Sequence, residues 1–139
     1  MIGIIRNIFH WMKGLKALEN EQNLEAYEHF KKIKTSRDRL KVEVLVFKAY
    51  TTCFLLENEY SISFLKEALM VLNGKNNIKR WSSDDIKYVE LYIYRLLSVN
   101  YSMTKNTDGN AFVNAKKKQL SVDFGKARKF LIRNFPMDE

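Results

Sequence analysis

The sequence predicts an all-α domain of six or seven helices packed as antiparallel hairpins, and three observations predict it. Proline is nearly absent: Pro136 follows 135 positions without another, and there are only five glycines. So few breakers favour long helices over a turn-rich β fold. Apolar residues recur every three or four positions, which is the helical period. Two segments, 14–33 and 49–68, superpose with a shift of 35 residues. Gly14 then falls on Ala49, Ala17 on Thr52, Ala26 on Ser61, Phe30 on Leu65 and Ile33 on Ala68. A fixed shift of about 20–50 residues is the mark of stacked helical hairpins.

The first helix is expected over about 4–19, with Ile5, Ile8, Phe9, Met12, Leu15 and Leu18 as its apolar stripe. Arg6, His10, Lys13 and Lys16 take the other faces. Such a helix can lie on an anionic membrane. The same stripe also serves a first core helix, and the core reading is preferred. A second helix begins near Asn23, a good N-cap, and ends at Lys31, Lys32 and Lys34, whose charge suits a helix C-terminus. Its apolar face is Leu24, Tyr27, Phe30 and Ile33.

A third helix spans about 39–57, with Leu40, Val44, Phe47, Thr51, Phe54 and Leu55 on one side. A fourth covers about 60–72 and stops at Asn73-Gly74, residues that tolerate the left-handed conformation. A polar loop follows over 75–80. Ser82-Ser83-Asp84-Asp85 then starts a fifth helix, 83–103, by serine capping with acids in the first turn. Residues 104–110 read as a loop with a turn at Asp108-Gly109. The last region, 111–134, reads as helix with a break near Ser121 and one buried stripe, Leu120, Phe124, Ala127, Leu131 and Phe135.

At 139 residues the chain is read as one domain, 1–139, with hairpins at about 4–34 and 39–73 and divergent helices at 83–103 and 111–134. The single cysteine, Cys53, lies in an apolar run and reads as a small buried hydrophobe. That fits a reducing, cytoplasmic setting. No segment has the run of about 18 apolar residues that a membrane span needs, and residues 1–6 do not make a convincing signal peptide.

The net charge of +8 is uneven: residues 1–70 carry 11 basic and 9 acidic side chains, residues 71–139 carry 13 and 7. The surplus sits in the final stretch, where Lys105 and Arg128 stand with the candidate contact residues against Asp108 and Asp123; those candidates are Lys116, Lys117, Lys118, Lys126, Lys129 and Arg133. If Leu120, Phe124, Ala127 and Leu131 face inward, these six project outward as one positive surface. Such a surface attracts an acidic protein or a nucleic acid.

The paired small residues resemble the tetratricopeptide family of helical-hairpin repeats. In that family a small residue of the first helix meets a small residue of the second. Gly14 with Ala26, and Ala49 with Ser61, match those positions; Phe30 and Leu65 match the large apolar position, Ile33 and Ala68 the last packing position. The resemblance covers about residues 8–74. It departs where the family's proline is replaced by Asp38 and Asn73, and its usual aromatic by Ala17 and Thr52. No third copy is legible after Asn73. The resemblance implies a right-handed array of hairpins that binds other proteins.

Enzymatic motifs are missing. Two distant histidines and one cysteine give no zinc spacing. No phosphate-binding glycine loop and no HExxH or GxSxG motif occurs. No catalytic residue, cofactor or metal is therefore expected. The expected function is non-enzymatic protein binding. Its most concrete form is a small bacterial immunity or inhibitor protein that neutralises a toxin, on the strength of small size, lack of motifs and a composition rich in Lys, Asn and Ile. An adaptor or chaperone is the neighbouring reading. The alternative class is a basic nucleic-acid-binding protein, using Lys116–Arg133 with Tyr88, Tyr92, Tyr94 and Tyr101 as base-stacking groups. Besides the basic residues, the grooves around Tyr27, Tyr50 and Tyr92 are candidate contact sites.

Overall fold

A computed structural model describes residues 2–74, 78 and 80–136. Among them are seven helices and no strand: α1 (Ile2–Glu19), α2 (Asn23–Lys31), α3 (Asp38–Phe54), α4 (Asn58–Asn73), α5 (Ser83–Met103), α6 (Thr107–Gln119) and α7 (Phe124–Asn134). The all-α expectation holds. The loop expected over 75–80 lies mostly outside the described residues.

Three hairpins follow from three tight turns. α1 packs on α2, α3 on α4, and α5 on α6, while α2 packs on α3 and α4 on α5. Each turn passes through one left-handed residue: Glu21 (φ 57°), Leu56 (φ 62°) and Lys105 (φ 56°). The backbone bonds around them repeat. Glu21 N–H donates to Leu18 O and Gln22 N–H to Ala17 O; Leu56 donates to Cys53 and Glu57 to Thr52; Lys105 donates to Ser102 and Asn106 to Tyr101. This pair of bonds closes the carbonyls left open at a helix C-terminus. In all three hairpins the next helix starts two residues after the left-handed one.

Small or polar residues stand at the contact of each hairpin. Gly14 and Ala26 are both buried where α1 meets α2. Ser61 Oγ donates to Ala49 O at 2.7 Å where α3 meets α4. Ser98 Oγ and Asn110 Oδ1 meet at 3.2 Å where α5 meets α6. The third hairpin, which the sequence reading did not find, thus repeats the geometry of the second with a shift of 49 residues. The longer connection after Asn73 moves the register, and Asn110 hides the small-residue pattern. The loop expected over 104–110 is confined to 104–106: Asn106 Oδ1 accepts from Gly109 N–H at 2.8 Å and caps α6, which begins at Thr107.

The core runs along α3 and α5. α3 is buried nearly all round, through Val42, Val44, Leu45, Val46, Phe47, Ala49, Thr51, Thr52 and Cys53. A helix apolar on every side belongs in the middle of a layer. Phe54, expected in the core, is 56% exposed. Asn100 of α5 is fully buried and ties the second hairpin to the third: its Nδ2 donates to Ser61 Oγ and Leu96 O, both at 2.9 Å, and its Oδ1 accepts from Asn58 Nδ2 at 2.9 Å. α5 begins as expected, with a reciprocal cap: Ser82 Oγ accepts from Asp85 N–H, and Asp85 Oδ2 from Ser82 N–H. α4 stops at Asn73, but Gly74 is not left-handed (φ −79°), so the stop is not the glycine device expected.

Two expected stripes are corrected. In α1 only Leu15 and Leu18 pack against the core, whereas Ile5, Ile8, Phe9 and Met12 are exposed. The buried face of α1 is instead Gly14 and Ala17, since close approach to α2 needs small residues. In the last region the helix breaks at 120–123, and Asp123 Oδ1 caps a new one by accepting from Lys126 N–H. The break changes the helical register. Phe124 is therefore 64% exposed, and Ala127, Phe130, Leu131 and Phe135 form the buried set.

Candidate functional site: an aromatic groove with an acidic rim

α7 packs on α5. Phe130 lies 5.7 Å from the Tyr88 ring, and Phe135 stacks on Tyr92 at 5.3 Å and Phe47 at 6.0 Å. The Tyr92 hydroxyl donates to Pro136 O, which fixes the chain after the helix. This placement leaves a groove of about 970 Å³ between α1, α3 and the end of α7. Trp11, Leu15 and Leu18 of α1, Phe47, Tyr50 and Phe54 of α3, and Ile132, Phe135 and Pro136 line its apolar part. Trp11 is held in place by Phe47 at 4.9 Å and Phe30 at 5.5 Å. Tyr50 leans on Phe54 at 4.8 Å.

The groove's charge opposes that of the chain. Its lining has three carboxylates, Glu19, Glu21 and Glu43, against one cation, Arg133. Arg39 Nε reaches Glu43 at 3.5 Å. Burial raises the Glu43 carboxyl above its ordinary range, and Arg39 partly offsets that. The guanidinium of Arg39 also sits 5.2 Å over the Trp81 ring, so it is held on both sides. With Glu43 already paired to Arg39, Glu19 and Glu21 are the carboxylates left to meet a cation beside the aromatic side chains, which can bury apolar groups.

The residues expected to form a site do not converge. Lys118, Lys126, Lys129 and Arg133 are exposed as expected, while Lys116 and Lys117 are half-buried. Lys116 Nζ lies 5.6 Å over Phe112, and its charge is felt by Glu90 of α5. The six lie on α6 and α7, which do not pack on each other among the described residues. Of the six, Arg133 lines the groove, as does Tyr50. Tyr27 sits elsewhere, 6.3 Å from Phe64 of α4 with Lys31 over its ring. Tyr92 is 4% exposed and holds Phe135 and Pro136. Tyr88, Tyr94 and Tyr101 are buried as well, so they offer no faces on which bases could stack. The groove's other members, Trp11, Phe47, Phe54 and Ile132, were not legible as a group. The aromatics at 11, 47 and 54 gave a weak hint, but nothing in the sequence placed α7 beside them.

Among the described residues no three His, Cys, Asp or Glu side chains converge as a metal site. The two histidines do meet, Nδ1 to Nδ1 at 3.1 Å across α1 and α2. Partial burial, then the charges of His29, Lys32 and Arg6, hold His10 below the ordinary imidazole value. Compared with protein-family models, curated proteins and solved structures, the chain matches none.

Proposed function

We propose that this chain is a non-enzymatic protein-interaction module that holds an apolar, cation-bearing segment of a partner in the groove between α1, α3 and α7. The observation that carries the reading is the groove itself: Trp11, Phe47, Tyr50 and Phe54 line it together with the exposed carboxylates Glu19 and Glu21, on a protein of net charge +8. Three hairpins with one turn geometry support the tetratricopeptide-like reading, and hairpin stacks bind through extended surfaces of this kind. The occupant then has the charge opposite to the acidic partner expected from the sequence. A small inhibitor that neutralises a cationic bacterial toxin is the most concrete form of the role, and an adaptor or chaperone would use the same groove.

Selection from a random-peptide display library against the full chain tests the proposal, with Phe54→Asp as counter-target. Phe54 is largely exposed, so the substitution changes the groove and not the core. Enrichment of peptides with aromatic or aliphatic residues beside Lys or Arg, bound at least about tenfold more weakly by the variant, is the expected result. Enrichment of acidic peptides indifferent to Phe54→Asp would move the site to α6 and α7. Retention of nucleic acid with no peptide enriched would favour phosphate contacts by Lys118, Lys126 and Lys129.

A further inference from the structure

α1 has a second apolar face that the fold leaves uncovered. Gly14 and Ala17 are buried against α2, with Trp11, Leu15 and Leu18 partly covered beside them. On the other side Ile2, Ile5, Ile8, Phe9 and Met12 stand open, Ile5 65% and Met12 64% exposed. Isolated apolar residues on a surface need no explanation, but five on one helix face mark an interaction site.

Charge decides what covers it. No acid occurs from residue 2 to 18, and Arg6, Lys13 and Lys16 are all exposed. At roughly 3.6 residues per turn, Arg6 and Lys13 border the apolar stripe and Lys16 falls within it. Lys13 Nζ lies 5.8 Å over the Phe9 ring, so cation and apolar group share one surface. The first carboxylate, Glu19, comes at the far end of the helix. A second copy of the chain would bring like cations together across the contact, which is unfavourable. A layer of anionic headgroups over acyl chains satisfies both the charge and the apolar side chains.

We propose that this face of α1 docks on an anionic lipid surface. Ile5, Ile8, Phe9 and Met12 enter the acyl boundary, and Arg6, Lys13 and Lys16 meet headgroup phosphates. The preference for a core helix drawn from the sequence is thereby reversed for this stripe. The groove lies on the Trp11, Leu15 and Leu18 side of α1, so the lipid contact is independent of the groove's occupant.

The test is sedimentation of the full chain with vesicles of phosphatidylcholine, with and without phosphatidylglycerol, at about 0.1 M salt. The chain is expected to pellet with the anionic vesicles and not with the neutral ones. Ile5→Asn/Ile8→Asn/Met12→Asn should weaken binding at least about tenfold; all three positions are exposed, so its thermal melt should match the parent. Arg6→Gln/Lys13→Gln/Lys16→Gln should lose roughly fivefold per cation. Phe9→Trp should shift its emission to the blue on anionic vesicles. Failure to pellet with anionic vesicles overturns the proposal. So does binding that survives the triple asparagine variant, because the lysines of α6 and α7 would then hold the headgroups. A dimer in ultracentrifugation that this variant makes monomeric, without vesicle binding, assigns the face to a second copy instead.

Discussion

Gly14→Ala and Gly3→Ala are the same substitution in the same helix and should have opposite effects. Alanine is the better helix former by about 1 kcal/mol. At Gly3 a Cβ meets nothing within 4 Å, so the substitution should stabilise the chain by up to about 0.5–1 kcal/mol, less if the first turn frays. At Gly14 the Cβ would fall 2.4 Å from Phe30 Cε1 and 2.8 Å from Cδ1 and Cζ. Carbon atoms prefer about 3.5–4 Å, so the ring must retreat by about 1 Å. It has nowhere to go: Phe30 is fully buried, with Trp11 at 5.5 Å and Phe47 at 5.3 Å. Overpacking of this kind costs about 3 kcal/mol, which leaves about 2 kcal/mol net and lowers Tm by about 6 °C. Phe30→Leu removes the obstructing ring edge, so the double variant should show a coupling of at least about 1 kcal/mol. Urea titrations and thermal melts measure all four proteins. A Gly14→Ala variant as stable as the parent, or a coupling near zero, would refute close packing of α1 on α2 at this residue.

Asn100→Leu keeps the volume but strips the bonds to Asn58, Ser61 and Leu96, so urea unfolding should show a loss of about 2–4 kcal/mol. Leu56→Gly relieves a left-handed leucine that is 71% exposed and should add about 0.5–1 kcal/mol in the same assay. His10 is held below 6.5 in the folded state, so its neutral ring favours folding. That contribution is complete above about 6.5 and is lost as the pH falls below it toward the lowered folded value. Glu43 and Glu90, raised by burial, act in the opposite sense at lower pH. The drop in Tm from pH 7.5 to 5.5 should therefore be smaller in His10→Asn than in the parent, and an equal drop would remove His10 as the cause. Burial also raises the Cys53 thiol, which is 6% exposed, so a thiol reagent at pH 8 should react slowly until urea unfolds the chain.

The helices were legible wherever one face alone is apolar or a cap is written in side chains. The start of α5 was legible because Ser82 and Asp85 cap it reciprocally. The burial of Gly14, Ala26, Ala49 and Ser61 was legible because small residues recur there at a fixed spacing. The breaks near 20–23, 58–59 and 104–110 were legible, but their shared turn geometry was not, because Glu21, Leu56 and Lys105 take a conformation usually marked by glycine. That concealed the third hairpin along with the shifted register. α1 misled because it is apolar on two faces, and periodicity does not say which one the fold covers. The groove was illegible for a tertiary reason: it exists only because α7 packs on α5 and carries Phe135 back against Phe47.

The central claim is that partners enter this groove and not the basic face of α6 and α7. The most direct measurement is amide and methyl chemical-shift mapping of the isotope-labelled full chain, titrated with a display-selected peptide. Shifts concentrated at Leu15, Leu18, Phe47, Tyr50 and Ile132, weakened by Glu19→Gln/Glu21→Gln and by added salt, are the expected result. Shifts concentrated at Lys118, Lys126 and Lys129, with the groove residues unmoved, would contradict it.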